Sequence, residues 1–498
     1  MPEKFKIWFL YFTLFITGAV ILVIEIAGTR VLAPFYGSTI FVWSSLITVT
    51  LAALAAGYVT GGFIADKRPD GRWFYALIFA GGASALALIK ISQPVLIFSD
   101  QFGIRWGAFV AALALFALPL FLLSTTGPFV IRLLAREREH AGHVSGIVFG
   151  VSTAGSLAGA LLAGFYLIPN FFIENIFIAA ASIVMGAAFV GFLLERGSRT
   201  LASIFAVLLL LGVVIPAYPG TVADGTSVLH ESPSFYGTIQ IIERGGIRCM
   251  SISSFTQTCI KISNSQQVLP YVGLIETLLS DLENGRMLVI GLGGGVMARD
   301  MAGQFDAIDV VEIDQKVYDA AKEYFGYRDA DPSITTHIAD GRAFVRKYDA
   351  EPYTAVVLDI FAGSNLVPHF FTKEAFESMR EVLAPNGVLV INTIGRPYGR
   401  GSELPRSVLR TLAAVFPYTG IISTENIKED PEKFGNLIFV ASASPKEFPV
   451  NQEFAVVYDK NEIADAALLT DARNLTKALR LSVYEEAQQF HRNFLGTL

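Results

Sequence analysis

Hydrophobic residues dominate the first part of the chain, where charges occur only in short clusters. A membrane-crossing helix needs about 20 mostly apolar residues, and several segments are that long. They lie near residues 7–29, 40–64, 73–98, 107–131, 145–168, 172–194 and 200–218. After about Asp224 charged residues become frequent and regularly spaced. The pattern predicts a transmembrane domain of about seven helices over residues 1–219.

The loops between these segments carry Lys and Arg unevenly. Arg30 and Arg105 are almost the only basic residues on one side. Those on the other side are Lys4, Lys6, Lys67, Arg68, Arg72, Arg132, Arg136, Arg138, Arg196 and Arg199. Because short cytoplasmic loops are enriched in Lys and Arg, we expect a plasma or inner membrane protein with a cytoplasmic N-terminus. Seven crossings would place the C-terminal domain outside the cytoplasm, whereas six would leave it inside.

Two features inside the predicted spans go beyond hydrophobicity. Glu25 lies at membrane depth, where a carboxylate is costly and marks either a pairing site or a functional site. Its partner is expected to come from another helix, and both roles stay open. The fifth span has small residues at helical spacing, which allow helix backbones to approach closely. These residues are Gly150, Ala154, Gly155, Ala158, Gly159 and Ala163.

Residues 235–262 alternate between polar and apolar positions with period two, which is typical of half-buried strands. Turn residues at Gly245-Gly246 and around Ser254 separate the strand-like runs, so we expect a small antiparallel β unit. If the second turn centres on Ser254, then Cys249 and Cys259 lie opposite each other, within reach of a disulfide. They are the only two cysteines of the chain. A bridge and a pair of reduced thiols both stay open.

From Met287 onward, buried strands alternate with helices, which is typical of a parallel sheet with crossover helices. The first of these strands runs into the turn Gly291-Leu292-Gly293-Gly294-Gly295. Glycines let a turn approach a ligand closely, and the following helix offers free N–H groups. Glu312 ends the second strand about 20 residues later, where a carboxylate is expected to bind ribose hydroxyls.

Two further acidic residues end strands of the predicted sheet. Asp340, followed by Gly341, ends the third strand, and Asp359 ends the fourth. Ligands of open α/β sheets bind in the crevice at the C-terminal ends of the strands. We therefore expect Glu312, Asp340 and Asp359 to share one adenosine-sized crevice. Helix capping is the simpler explanation for a strand-end Asp, and it explains one such residue more readily than three.

These patterns predict the fold class and the division of the chain. An α-helical transmembrane bundle is followed by an α/β region, whose Rossmann-like, methyltransferase-type parallel sheet is preceded by a small antiparallel β unit. The β-hairpin domain is expected at 220–268 and the Rossmann-like domain at 269–498. The formal net charge of −6 excludes a broad basic surface for nucleic acid. The sequence contains neither an HExxH motif nor a CxxC pair, so it does not indicate a metal site.

Taken together, these residues resemble the spermidine synthase family of polyamine aminopropyltransferases. The whole chain resembles the form of that family in which a multi-span membrane region precedes the enzyme domain. The likeness covers most of 225–393. It is carried by Glu231, Ser232, Tyr236, Gly237, Arg248, Gln257, Tyr271, the glycine turn, Val311, Glu312, Ile313, Asp314, Asp340, Gly341 and Asp359.

The resemblance implies a role for each residue of the crevice. The nucleoside would be bound by Gly291, Gly293, Gly295, Glu312, Asp340 and Gly341, with Glu312 on the ribose and Asp340 on the adenine amino group. Asp359 would take the proton from the attacking amine. His369 would either assist Asp359 or make a structural hydrogen bond. Gln257 and Tyr271 would line the substrate pocket.

The chain departs from the soluble enzymes of this family at three positions. Gly294 stands where they carry an acid in the glycine turn, Val272 where they carry a His, and Ala362 where they carry a second acid. These changes remove polar groups that would hold a diamine. Asp359 with Pro368, His369 and Thr470-Asp471-Ala472 instead resembles the membrane-fused group.

Three functions follow as hypotheses. The first is an aminopropyltransferase that uses decarboxylated S-adenosylmethionine and an amine or polyamine acceptor. The second is a methyltransferase that uses S-adenosylmethionine itself on an acceptor delivered by the membrane. The third is a non-catalytic module that binds a polyamine or nucleoside for transport. The expected partners are the small-molecule amine and the lipid bilayer, without nucleic acid or metal, and the resemblance leaves a homodimer open.

Overall fold

The computed structural model describes residues 3–37, 39–135, 141–195, 225–253, 255–282, 284–327, 331–360, 367–446, 451–474 and 476. The chain divides into two compact units, Met1–Val222 and Ala223–Leu498. Each unit has its own hydrophobic core.

The first unit is a bundle of long apolar helices. They are α1 (Glu3–Tyr36), α2 (Ile40–Lys67), α3 (Gly71–Asp100), α4 (Gly103–Ser124), α5 (Thr126–Leu134), α6 (Ala141–Leu162), the short α7 (Ile168–Asn170) and α8 (Ile173–Leu194), with a π-helical turn at Ala163–Leu167. Among the described residues, six helical stretches are long and apolar enough to cross a membrane. Six of the predicted apolar segments therefore form helices of sufficient length, and the seventh segment, near 200–218, lies outside the described residues.

Helices α1 and α6 approach closely through small residues, as the stripe in the fifth span predicted. A Cβ atom on Gly155 would collide with the carbonyl oxygen of Phe15, and one on Gly159 would collide with that of Ala19. A larger side chain at either position would force the helices apart. Glu25 of α1 lies near Thr50 of α2, but among the described residues the Thr50 hydroxyl has no hydrogen-bond partner. The pairing and functional roles of Glu25 both stay predictions.

The second unit begins with a four-stranded antiparallel sheet. Its strands are β1 (Ser227–Pro233), β2 (Thr238–Arg244), β3 (Ile247–Ile252) and β4 (Phe255–Lys261), paired in that order. Gly245 and Gly246 form the two-residue turn between β2 and β3, and both have positive φ, as the favoured hairpin turns require. The alternation predicted β2 to β4 but not β1, because β1 contains a register shift and ends in Pro233.

Cys249 and Cys259 lie opposite each other on β3 and β4 and form a disulfide, with their Cα atoms 4.1 Å apart. The predicted opposition is confirmed, although the turn is tighter than expected, because Ile252 pairs with Phe255. An unpaired residue on β4, Gln257, restores the register before Cys259. Such a bulge re-aims the side chain of the extra residue.

The disulfide can be tested by thiol labelling. In denaturant without reductant we expect neither cysteine to react, and after reduction we expect both to react, as read by mass spectrometry. Replacing both cysteines with Ser should lower the free energy of unfolding by about 2–3 kcal/mol, because the bridge closes a short loop in the unfolded chain. Free labelling of both thiols in unreduced protein would contradict the bridge.

The larger sheet of the second unit contains eight strands. They are β5 (Arg286–Ile290), β6 (Ala307–Glu312), β7 (Ile334–Ile338), β8 (Tyr353–Leu358), β9 (Leu383–Gly395), β10 (Tyr418–Ser423), β11 (Gly435–Ser442) and β12 (Ala455–Val456). Their spatial order is β12-β10-β11-β9-β8-β5-β6-β7. Strands β5 to β9 are parallel, whereas β10 to β12 pair antiparallel. The predicted Rossmann-like sheet is confirmed.

Short helices connect and cover these strands. They are α9 (Pro270–Leu279), α10 (Val296–Asp300), α11 (Gln315–Tyr324), α12 (Gly341–Lys347), α13 (Lys373–Glu381), α14 (Glu403–Ala413) and α15 (Lys460–Asp465), with a 3₁₀ turn at Pro368–Phe370. The small sheet packs on α10 and α11, because Ile239 and Met250 share a buried cluster with Val296 and Val317. The hairpin β3–β4 is therefore held beside the start of α10.

The strand order reverses between β5 and β8, which are direct neighbours. From β5 the chain proceeds to β6 and β7 on one side, and β8 begins the other side. Loops that leave the C-terminal ends of two such strands diverge and open a crevice. The glycine turn leaves β5 and Asp359 follows β8, so both lie at this point.

Candidate functional site

The glycine turn and Asp359 are in direct backbone contact. The N–H of Asp359 donates to the carbonyl oxygen of Ile290 at 2.9 Å, and the N–H of Gly291 donates to Val311 at 2.9 Å. Gly291 has φ +99°, and a Cβ atom there would collide with the carbonyl oxygen of Asp359. Glycine at this position allows the ends of the two strands to approach each other.

Strand β4 covers the glycine turn from the other side. The Gly294 N–H donates to the Thr258 hydroxyl at 2.8 Å. A Cβ on Gly295 would collide with the ring of Tyr327. Packing therefore accounts for Gly295, which does not line the cleft that this turn borders.

The cleft has a cavity volume of about 190 Å³. It brings together eight of the ten residues predicted for the site. These are Gln257, Gly291, Gly293, Glu312, Asp340, Gly341, Asp359 and His369. Of the other two, Tyr271 does not line the cleft but donates a hydrogen bond to Asp359, and Gly295 supports the glycine turn.

Glu312 is held by backbone donors at the end of β6. One carboxylate oxygen accepts from the N–H groups of Ile313 and Asp314, at 2.7 and 2.8 Å, and the other accepts from Leu292 at 3.1 Å. Burial raises the pKa of Glu312, and the backbone donors oppose that rise. The oxygen that accepts only from Leu292 retains a lone pair for a ligand hydroxyl. The arrangement suits recognition of a ribose.

Asp359 lies at the floor of the cleft between two donors. The Tyr271 hydroxyl donates to one carboxylate oxygen at 3.0 Å, and the Asn392 amide donates to the other at 2.9 Å. Burial raises the pKa of Asp359, while these two hydrogen bonds oppose the rise. A carboxylate with a raised pKa and fixed orientation is suited to accept a proton.

His369 lies beside Asp340 at the rim of the same cleft. Its Nε2 atom is 3.9 Å from the nearer Asp340 oxygen. The other Asp340 oxygen accepts from the Ala343 N–H at 2.8 Å and caps α12, so the capping explanation holds for this acid as well. Burial lowers the pKa of His369, although the Asp340 charge opposes that effect. A catalytic role for His369 stays a prediction.

A clamp formed by Arg342 and Asp471 holds the rim segment Pro368–Thr372. The Arg342 guanidinium donates to both Asp471 oxygens, at 2.8 and 2.6 Å, and to the His369 carbonyl oxygen at 2.8 Å. Thr372 donates to Asp471, and Asn474 donates to the Pro368 carbonyl oxygen. The segment around residue 471 therefore fixes the backbone that carries His369.

Replacing Asp471 with Asn should loosen this rim segment. An amide offers one acceptor instead of two, so the two-pronged contact with Arg342 is lost. We expect the free energy of unfolding to fall by about 1–3 kcal/mol, and amide hydrogen exchange at 367–374 to accelerate. The same change at exposed Asp465 is the control and should leave exchange at 367–374 unchanged. Unaltered exchange in the Asp471 variant would contradict the clamp.

Several residues in the cleft or next to it received no specific role from the sequence. The Asp314 carboxylate lines the cleft, and its buried Oδ2 has no hydrogen-bond partner among the residues that the structure describes. Asn392 is buried in β9 directly after the apolar residues 388–391. A buried amide at the end of such a run is the one available signal, because it needs hydrogen-bond partners. Tyr236 also lines the cleft, and burial together with nearby acids raises its pKa.

Comparison with known proteins identifies similar domains. Residues 275–447 match the spermine/spermidine synthase domain. A polyamine aminopropyltransferase from Vibrio vulnificus is 31% identical over 199 residues, which are 37% of this chain and 65% of that protein. The human eEF1A lysine and N-terminal methyltransferase is 33% identical over 144 residues, 26% of this chain and 20% of that protein. The matches thus span less than two thirds of these relatives.

Among solved structures, a probable spermidine synthase from Corynebacterium glutamicum is 20% identical, with a TM-score of 0.41. It covers 50% of this chain and 97% of its own length.

Proposed function

Because the chain belongs to the spermine/spermidine synthase family through residues 275–447, we propose that it is a membrane-bound aminopropyltransferase. It would transfer the aminopropyl group of decarboxylated S-adenosylmethionine to a small amine or polyamine. The observation that carries the proposal is the charge of the cleft, which is lined by Glu312, Asp314, Asp340 and Asp359.

The described lining contains these four acids and no Lys or Arg. Residues 361–366, which lie outside the described residues, contain neither type in the sequence. A cleft of one charge sign concentrates ligands of the opposite sign. The decarboxylated donor and a polyamine are both cationic, whereas S-adenosylmethionine carries a carboxylate that four acids would repel. The lining therefore supports the decarboxylated donor over the methyl donor.

The residues around Asp359 fit the chemistry of aminopropyl transfer. The sulfonium of the donor activates the neighbouring carbon, so that the new C–N bond forms as the C–S bond breaks and methylthioadenosine leaves. The attacking amine must be neutral, and Asp359 would take its proton. Glu312 would hold the ribose and Asp340 the adenine amino group. Gln257, re-aimed into the cleft by its bulge, would contact the amine.

The membrane placement is part of the proposal. The six apolar helices would anchor the enzyme in a plasma or inner membrane, and the loop charges support a cytoplasmic N-terminus. The Cys249–Cys259 disulfide supports a soluble domain outside the cytosol, where such bridges persist. With a cytoplasmic N-terminus, a soluble domain outside the cytosol requires a seventh crossing near 200–218.

Calorimetric titration of the purified full-length protein, followed by a transfer assay, tests the proposed function. We expect decarboxylated S-adenosylmethionine to bind at least about tenfold more tightly than S-adenosylmethionine, or about 1.4 kcal/mol. Methylthioadenosine should be released only when an amine is present. Tighter binding of S-adenosylmethionine with methyl transfer would replace the proposal by the methyltransferase hypothesis. Failure to bind any of these nucleosides would exclude both enzymes.

A further inference from the structure

Two buried asparagines that do not line the cleft connect to Asp359. Asn392 is near the end of β9 and is 1% exposed, and Asn436 is near the start of β11 and is 8% exposed. The strands are antiparallel neighbours in which Asn392 pairs with Ile438, two residues from Asn436. Burying two amides among apolar strands is costly unless their hydrogen bonds are satisfied.

The two amides form a chain of hydrogen bonds that ends on Asp359. The Asn436 side-chain amide donates to the Asn392 side-chain oxygen at 2.9 Å. The Asn392 amide in turn donates to an Asp359 oxygen at 2.9 Å. We propose that Asn392 is a positioning residue for Asp359 and that Asn436 acts through Asn392 by fixing the orientation of its amide.

The direction of donation explains why two asparagines are needed. A side-chain amide has a donor end and an acceptor end. If Asn392 turned over, its oxygen would face the Asp359 carboxylate and its N–H₂ would face the N–H₂ of Asn436. Both hydrogen bonds would then be lost in a buried site. Asn436 therefore stabilises the one orientation in which Asn392 presents a donor to the carboxylate.

This orientation affects both the position and the charge of Asp359. With Tyr271 donating to the other oxygen, the two donors fix the carboxylate plane from opposite ends. They also favour the ionised form against the effect of burial, since hydrogen bonds from Asn392 and Tyr271 lower the pKa of Asp359. Without Asn392 the carboxylate would take up its proton at a higher pH. The inference rests on the proposed role of Asp359 as the base.

Asn392→Leu, Asn436→Leu and the double variant test the inference. In the wild type, the rate at which a carbodiimide modifies Asp359 reports the protonated carboxyl group. Mass spectrometry of the Asp359 peptide measures that rate as a function of pH without any need for activity. We expect the pH midpoint of Asp359 modification to rise by about one pH unit in Asn392→Leu. In Asn436→Leu the same midpoint should rise by less. The double variant should equal Asn392→Leu, because Asn436 acts only through Asn392.

Thr393→Val is the matched control. Thr393 is the next residue on β9, is buried, and donates to the Leu437 carbonyl oxygen of β11. Its replacement removes a buried hydrogen bond between the same two strands without touching Asp359. It should lower stability but leave the midpoint of Asp359 modification unchanged.

The outcomes separate this inference from the proposed function. If transfer activity exists, kcat should fall about 10- to 100-fold in Asn392→Leu, with the amine KM nearly unchanged. If the wild type transfers nothing but the modification midpoint shifts as expected, the positioning role stands and the proposed function fails. An unshifted midpoint in both single variants, or additive effects in the double variant, would overturn the positioning role. If Asn392→Leu does not fold, the modification midpoint measured in Asn436→Leu alone tests the positioning role.

Discussion

Replacing Asp359 with Asn should lower the rate of transfer by about 10²- to 10⁴-fold, the usual contribution of a general base. The substitution keeps the size of the side chain but removes its ability to take a proton. Nucleoside binding should change less than about twofold, since Glu312 and Asp340 are expected to make the nucleoside contacts. The measurement is methylthioadenosine release at saturating amine, beside calorimetric titration with methylthioadenosine.

The pH dependence of the wild-type transfer rate tests the role of Asp359 in a second way. Only ionised Asp359 can accept a proton, so the rate should fall as the pH falls through the pKa of Asp359. Because burial raises that pKa, the loss should begin at a higher pH than for an exposed Asp. Asp349→Asn, which makes the same change at an exposed carboxylate, should keep both the rate and the profile. An Asp359→Asn variant with wild-type turnover would remove Asp359 as the base.

The features that could be predicted from sequence depend on short stretches of chain. The strand-end acids and the glycine turn were recognisable because parallel strands place their C-terminal ends at one edge of a sheet. The Gly245-Gly246 turn fixed the register of one hairpin, and the spacing of Cys249 and Cys259 was right for a bridge. The bulge at Gln257 was not foreseen, because one extra residue leaves the alternation on either side intact.

Contacts between distant segments could not be predicted in this way. Asn392 and Asn436 meet because β11 inserts beside β9 in the antiparallel direction, and no local pattern specifies that neighbour. Arg342 and Asp471 are 129 residues apart in sequence. For His369 the sequence left two roles open, assistance to Asp359 or a structural hydrogen bond, and its observed ionic neighbour is Asp340. A residue on a loop can reach either acid, and only tertiary packing decides between them.

Replacing Glu312 with Gln should weaken nucleoside binding by about 10- to 100-fold, or about 1.4–2.8 kcal/mol. The carboxylate accepts three backbone N–H donors at 2.7, 2.8 and 3.1 Å. A Gln amide has one acceptor end, so its N–H₂ must face at least one of those donors. A buried N–H group without an acceptor costs about 1–3 kcal/mol. We therefore expect a fall in the free energy of unfolding as well as in affinity.

The pH dependence of binding distinguishes a ribose contact from a purely structural role for Glu312. Burial raises its pKa, and protonation turns an acceptor oxygen into a donor. Wild-type affinity for methylthioadenosine should therefore fall as the pH falls through that raised pKa, whereas the weaker affinity of Glu312→Gln should not show this dependence. Glu276→Gln makes the same change at a half-buried acid that does not line the cleft, so it should retain the wild-type affinity and profile. If Glu312→Gln loses stability but binds methylthioadenosine with the wild-type affinity, then Glu312 supports the glycine turn, and the ribose is held elsewhere in the cleft.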